Sequence, residues 1–346
     1  MSSFWVILLC FFGIVVELCL CLEPLTTIGL AGATLTALGY NYDTIKVNTY
    51  CRWYECCIPD HVPADINHFK AELEKSLFGQ HIALKVVTDA LFYHYSNPQK
   101  SSKPLVMSFQ GTPGIGKTFI TNVMKSSIYK EGVDSKFVYK FHGRASFPRE
   151  DMVSKYKQEV IDTVTSALAA CPLSLFIFDE VDKMPMKILE GITMMLDHQH
   201  AKGKFDSTKA VFVFISNAGG LEISQQLASL MRKGLTREDT ELHHFEKLTE
   251  VSLYNSNGAL GKSGTIENAV IDHFIPFLPL EQRHIQKCIE NEFKRVGISE
   301  PTKEQINEVL KDVTYEKEQT FFAVYGCKKL EKKVGLVAWQ ARRGDL

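Results

Sequence analysis

Residues 105–119, LVMSFQGTPGIGKTF, restrict the fold of this chain more than any other stretch. An apolar run from Leu105 to Phe109 feeds a Gly-x4-Gly-Lys-Thr loop, and the loop opens an amphipathic helix carrying Ile120, Val123, Met124 and Ile128. Glycines there let successive backbone N–H groups close around phosphate oxygens, and the following helix turns its positive end toward the same anion. Gly111, Thr112, Pro113, Gly114, Ile115, Gly116, Lys117 and Thr118 are therefore the candidate ATP-binding residues. Lys117 would reach the β- and γ-phosphates, and the Thr118 hydroxyl would ligate Mg²⁺. A strand–loop–helix unit of this kind belongs in a parallel sheet with helices on both faces.

The following segments continue that pattern. Asp65 can cap a helix whose Phe69, Leu73 and Leu77 share a face; Phe78-Gly79-Gln80 breaks it, and a second helix runs through Ile82, Val86, Ala90 and Leu91. Strands are predicted over 137–141, 173–178 and 210–215, a helix over 151–170, and another through Ile188, Ile192 and Leu196. The strand over 173–178 runs into Asp179 and Glu180. At the carboxyl end of a parallel strand these side chains face the ligand crevice. Asp179 suits the hydration shell of Mg²⁺, and Glu180 suits polarising the attacking water, which separates hydrolysing ATP from merely binding it. Asp182 and Lys183 are expected to pair locally or face a neighbouring subunit. Asn217, at the end of the next strand, stands where a side-chain amide can bond the γ-phosphate or the water, as the first sensor of an AAA+ ATPase does.

Beyond Pro279 the pattern becomes helical. Ile285, Cys288, Ile289 and Phe293 share a face, and Thr302 with Gln305 forms a capping box ahead of Ile306, Val309, Leu310 and Val313. The body is read as an α/β nucleotide-binding domain over 65–280 and a small helical domain over 281–346. At the other end, Phe4 to Val16 is unbroken apolar sequence, the length of a signal-peptide core and short of the roughly 20 residues a membrane span needs. Residues 1–22 are read as a signal peptide and 23–45 as a membrane-associating segment able to lie in one leaflet. A single uncleaved anchor covering both is the alternative. Residues 46–64 form a Cys-rich linker. Six of the nine cysteines lie beyond the leader, an even number that an exported chain can pair. The Cys51, Cys56, Cys57 cluster with His61 lacks a second ligand pair at zinc-site spacing. A formal net charge of -1 provides no basic field for nucleic acid.

LFGQHIALKVV (77–87), FIFDEVDKM (176–184), FISNAG (214–219), FIPFLPLE (274–281) and YGCKKL (325–330) together resemble the torsin family. The similarity runs from about residue 23 to about residue 330. It implies an AAA+ ATPase of the endoplasmic reticulum lumen and nuclear envelope, using ATP and Mg²⁺ as a chaperone-like remodeller and attached peripherally to the membrane. By the same resemblance Lys328 is the second sensor and contacts the γ-phosphate from the helical domain, and Cys288 pairs with Cys327, two buried thiols being the alternative. Hsp100-type relatives carry an arginine near the position of Val270 that reaches a neighbour's ATP. Here no arginine lies between Arg237 and Arg283. Torsins likewise borrow theirs from the lumenal domain of a lamina-associated or reticulum membrane activator, so that activator and further copies of the chain are the implied partners. Two positions depart from the family: Thr118 stands where torsins commonly carry Asn, and Thr112 where they carry a bulky residue. Phe147 is the nearest thing to a pore-loop aromatic, and a packed loop residue is the expected role. The alternatives are a nucleotide-gated structural assembly and a self-sufficient Hsp100-like unfoldase.

Overall fold

Five short runs form one parallel sheet in the order β2-β3-β4-β1-β5, with β1 Leu105–Gln110, β2 Val138–His142, β3 Leu175–Asp179, β4 Val211–Ser216 and β5 His273–Pro276. In the computed structural model, which describes residues 46–96, 101–197, 206–263, 266, 269–316 and 321–343, β1, β3 and β4 are buried throughout. That is what strands covered on both faces require. Phe176 stacks on Phe212, and Phe178 lies between Phe141 and Phe214, so one face of the sheet is an aromatic layer. Val160, Val164 and Leu168 pack against that layer.

The longer helices among the described residues are α1 Ile66–Ser76, α2 His81–Ser96, α3 Lys117–Ile128, α4 Val153–Ala170, α5 Gly220–Arg232, α6 Glu246–Tyr254, α7 Gln282–Arg295, α8 Lys303–Lys311 and α9 Leu330–Arg343. Their starts follow the sequence signals. The Asp65 carboxylate accepts from the His68 N–H at 2.9 Å. At α8 the Gln305 N–H donates to Thr302 Oγ1 at 3.2 Å while the Thr302 N–H donates to Gln305 Oε1 at 2.9 Å, the reciprocal capping box.

Several elements differ from expectation. The helix foreseen through Ile188, Ile192 and Leu196 is a 3₁₀ turn, Ile188–Gly191, followed by one helical turn, Thr193–Leu196. Lys187 enters it in the left-handed region, φ 68°, and a Cβ on Gly191 would lie 2.5 Å from Ile161, so the backbone bends to keep three apolar side chains buried. Helices α5 and α6 and strand β5 were not anticipated. β5 has only four residues and ends in proline; on an edge strand a proline removes no ladder bond on the paired side.

Residues 62–346 form one compact unit, and the chain up to His61 another. In the latter, Cys51 and Cys56 are joined in a disulfide and His61 Nδ1 accepts from the Cys56 N–H at 2.8 Å. The segments 1–22 and 23–45 fall outside the described residues. No helix among the described residues is long and apolar enough to cross a membrane.

Candidate functional site

The loop between β1 and α3 holds its lysine in place from within. Lys117 is buried, and Nζ donates to the carbonyls of Gly111 at 2.5 Å and Thr112 at 2.8 Å and to Asn217 Oδ1 at 3.1 Å. Burial in this neutral setting lowers its pKa to about 7; Asp182 and Asp179 pull it back up, and the nearby Lys328 pushes it further down. An ammonium so placed has much to gain from an anion.

At the end of β3, Asp179 lies 2.9 Å from Lys140 Nζ. Glu180 follows in the left-handed region, φ 59°, which turns its side chain into the crevice with Lys183 Nζ at 3.7 Å and His142 Nδ1 at 3.9 Å. Lys183 thus pairs locally. Asp182 does something the sequence did not suggest: Oδ1 accepts from the Asn217 N–H at 3.0 Å and from Ser216 Oγ at 3.2 Å. It fixes the strand end that presents Asn217. Thr118 is exposed at the start of α3, and its hydroxyl with the Asp179 carboxylate offers oxygen donors, the class that Mg²⁺ takes.

The C-terminal helices meet the loop through main chain. The Cys327 N–H donates to the Gly114 carbonyl at 2.8 Å. A Cβ on Gly114 (φ 81°) would lie 2.0 Å from the Tyr325 carbonyl oxygen, and one on Gly326 (φ 47°) 2.3 Å from the Gly114 carbonyl oxygen. Cys327 is disulfide-bonded to Cys288 of α7, their Cα atoms 6.1 Å apart. Pro113, Gly114, Ile115, Gly116, Lys117 and Thr118 line one cavity of about 580 Å³, and with them Asp179, Glu180, Asn217, Cys288, Cys327 and Lys328. Leu77, Phe78 and Leu280 give the same cavity apolar walls. Gly111 and Thr112 stand just outside its lining and act through their carbonyls on Lys117. Phe147 is buried between Phe141 and Tyr156, the packed loop position expected from the sequence.

Two supporting residues escaped the sequence. The Gln80 amide donates to the carbonyls of Ile115 at 3.0 Å and Leu278 at 2.8 Å and accepts from the Leu278 N–H at 2.8 Å, tying the phosphate loop to the exit of β5. Arg237, 1% exposed, donates to the carbonyls of Gly79 at 2.6 Å and Pro279 at 2.8 Å and to Glu281 at 3.2 Å. Burial lowers its pKa to about 10, with Glu281 opposing the shift. Only the GQ dipeptide could have hinted at the first; nothing in the sequence singles out Arg237.

Residues 51–178 match the torsin family and residues 280–336 the torsin-1A C-terminal domain. A torsin-like protein of Drosophila melanogaster is 42% identical over 322 residues, covering 92% of this chain and 93% of its own length. Torsin-3A of Mus musculus is 30% identical over 323 residues, 91% of this chain and 83% of its own. Among solved structures, the S. cerevisiae Hsp104-ADP complex superposes with a TM-score of 0.55 at 18% identity over 93% of this chain, which in turn spans 57% of the Hsp104 chain. The parallel sheet with its helices is thus the fold of the AAA+ protein Hsp104, and the chain belongs to the torsin family of AAA+ nucleotide-binding proteins.

Proposed function

We propose that the chain hydrolyses ATP in the lumen of the endoplasmic reticulum and nuclear envelope. Its turnover is weak alone and is raised by the lumenal domain of a membrane protein that donates an arginine. The observation that carries the ATPase reading is convergence: the phosphate loop, Asp179, Glu180, Asn217 and Lys328 come from distant parts of the sequence and line one cavity. Bound Mg²⁺, held by Thr118 and Asp179, would neutralise charge on the phosphates. Lys117 exchanges its carbonyl partners for phosphate oxygens. Glu180 accepts a hydrogen bond from the attacking water, Asn217 orients that water, and Asp182 holds Asn217. Lys328 brings a positive charge from the helical domain.

The reading of an arginine in trans is supported by the stretch without arginine between Arg237 and Arg283, and by Arg237 itself being committed to Gly79, Pro279 and Glu281. Membrane attachment in this reading belongs to residues 1–45, and further copies of the chain are expected to assemble with it. The client is a membrane-bound or protein complex that is remodelled, not threaded, because Phe147 is packed inside. The same burial keeps alive a second reading, a nucleotide-gated assembly that hydrolyses ATP only to come apart. Steady-state phosphate release with and without the activator's lumenal domain, and with that domain's arginines replaced one at a time, tests the proposal. Stimulation lost with one arginine is expected. Full turnover by the chain alone favours the self-sufficient unfoldase. Turnover confined to disassembly favours the gated assembly.

A further inference from the structure

We propose that Lys140 is a positioning residue for the metal-binding carboxylate: its ammonium and Mg²⁺ are alternative counter-ions for Asp179, so the chain carries a built-in Mg²⁺ threshold for loading nucleotide. The inference rests on reading residues 111–118 and Asp179 as an ATP–Mg²⁺ site. Lys140 lies on β2, an edge strand, opposite Ile177, while His142 lies opposite Asp179. Phe141 faces the aromatic layer, so Lys140 projects to the other face of the sheet, shared with Asp179. Its long side chain runs along the strand to bring Nζ within 2.9 Å of Asp179 Oδ2.

Other cations near that carboxylate are engaged elsewhere. Lys117 bonds two carbonyls and Asn217, and the buried Lys125 of α3 donates to Asn122 Oδ1 at 3.2 Å. Among the described residues Lys140 alone forms an ion pair with Asp179. An ammonium on Oδ2 cancels part of the carboxylate's charge and takes one of its lone-pair directions, so it disfavours a Mg²⁺ ion or its hydration shell at the same oxygen. Lys140 therefore turns away when the metal arrives. Its side chain is 36% exposed against 10% for Asp179, so it has water to turn into. The pair is a partly exposed one, and the competition is correspondingly modest. Conversely, without metal Lys140 shields the incoming phosphates from a bare carboxylate.

Equilibrium binding of a fluorescent ATP analogue to the full chain, over a Mg²⁺ series that includes chelator alone, tests this. Lys140→Met is expected to lower the Mg²⁺ concentration for half-maximal binding by about three- to five-fold and to weaken binding in chelator. Lys140→Arg, which keeps the charge, should stay near wild type in both. Lys140→Gln is a second neutral variant should the Met variant melt early. An unchanged or raised Mg²⁺ midpoint in the neutral variants overturns the proposal. So does a uniform loss of affinity at every Mg²⁺ concentration, which would make Lys140 a direct phosphate ligand. Failure of the underlying reading looks different: wild type would not bind the analogue at any Mg²⁺ concentration, or Lys117→Ala would bind it equally well.

Discussion

Two buried charge clusters flank the nucleotide cavity, and they are built on opposite plans. Around Arg237 the terminal nitrogens are spoken for by Gly79, Pro279 and Glu281, so the charge closes upon the protein itself. Around Lys117 the partners are neutral carbonyls and an amide, while Asp179, Asp182 and Lys328 act on it electrostatically. The first cluster joins the segment before α2 to the segment before α7. The second is poised to trade its contacts for an anion. Burial of a charge marks function only where the protein leaves its compensation exchangeable; where compensation is internal, the same burial marks architecture.

Replacing one residue in each cluster should therefore move different observables. The largest effect is expected for Glu180→Gln, which removes the carboxylate proposed to activate water. Hydrolysis in the presence of activator should fall by about 10²–10⁴-fold, with nucleotide affinity and melting temperature unchanged. Hydrolysis at the wild-type activated rate would show that another residue is the base. Next is Arg237→Ala, which leaves the Gly79 and Pro279 carbonyls without their donor and takes from Glu281 one of its two arginine partners. Chemical denaturation should show a loss of about 3–5 kcal/mol, with nucleotide affinity falling only as the fold does. A variant that melts normally yet binds no ATP would place Arg237 in the site and dissolve the distinction.

A smaller effect concerns His284, which joins the Arg237 cluster from α7. Burial, followed by the positive charges of Arg237, Arg283 and Lys287, lowers its pKa from 6.5 to about 3. The unfolded chain takes up a proton below pH 6.5 that the folded chain refuses until far lower pH. The stabilisation is thus full above pH 6.5 and is lost as pH falls. At ~1.4 kcal/mol per unit, stability should drop by up to about 2 kcal/mol between pH 6.5 and pH 5. His284→Asn keeps a side-chain acceptor near the Glu281 N–H and should flatten that slope; equal slopes in the two proteins would locate the titration elsewhere. The smallest effect belongs to the Cys288–Cys327 bond. Because Cys327 bonds Gly114 and precedes Lys328, ATP and ADP affinities should differ by about five-fold between oxidised and reduced protein. Cys288→Ser should abolish the difference, and equal affinities in wild type would leave the bond purely structural.

The phosphate loop, the Asp179-Glu180 pair and Asn217 were legible because each sits in a contiguous motif at the end of an apolar run, where neighbours in sequence are neighbours in chemistry. The supporting residues were not, because their partners are remote. Gln80 meets Leu278 across 198 positions and Arg237 meets Gly79 across 158, with no periodicity linking either pair. Asp182 is expected from the sequence to pair locally or face a neighbouring subunit, since a carboxylate beside a lysine looks like a surface group until β4 brings Ser216 and Asn217 to it. Strand β5 was hidden by its length and its terminal proline. The 188–196 segment misled in the other direction: its helical spacing is real, but it serves the packing of a bent backbone.

The seam between Gly114 and Gly326 constrains how this chain can vary. Where two side chains touch, a larger residue on one side can be matched by a smaller one on the other. Here a Cβ on Gly114 would meet the Tyr325 carbonyl oxygen at 2.0 Å and one on Gly326 the Gly114 carbonyl oxygen at 2.3 Å, and no exchange of side chains makes room for a methyl group against main chain. Neither glycine can be rescued by a second substitution across the seam. Both glycines thus hold fixed the backbone approach by which the C-terminal helices meet the loop.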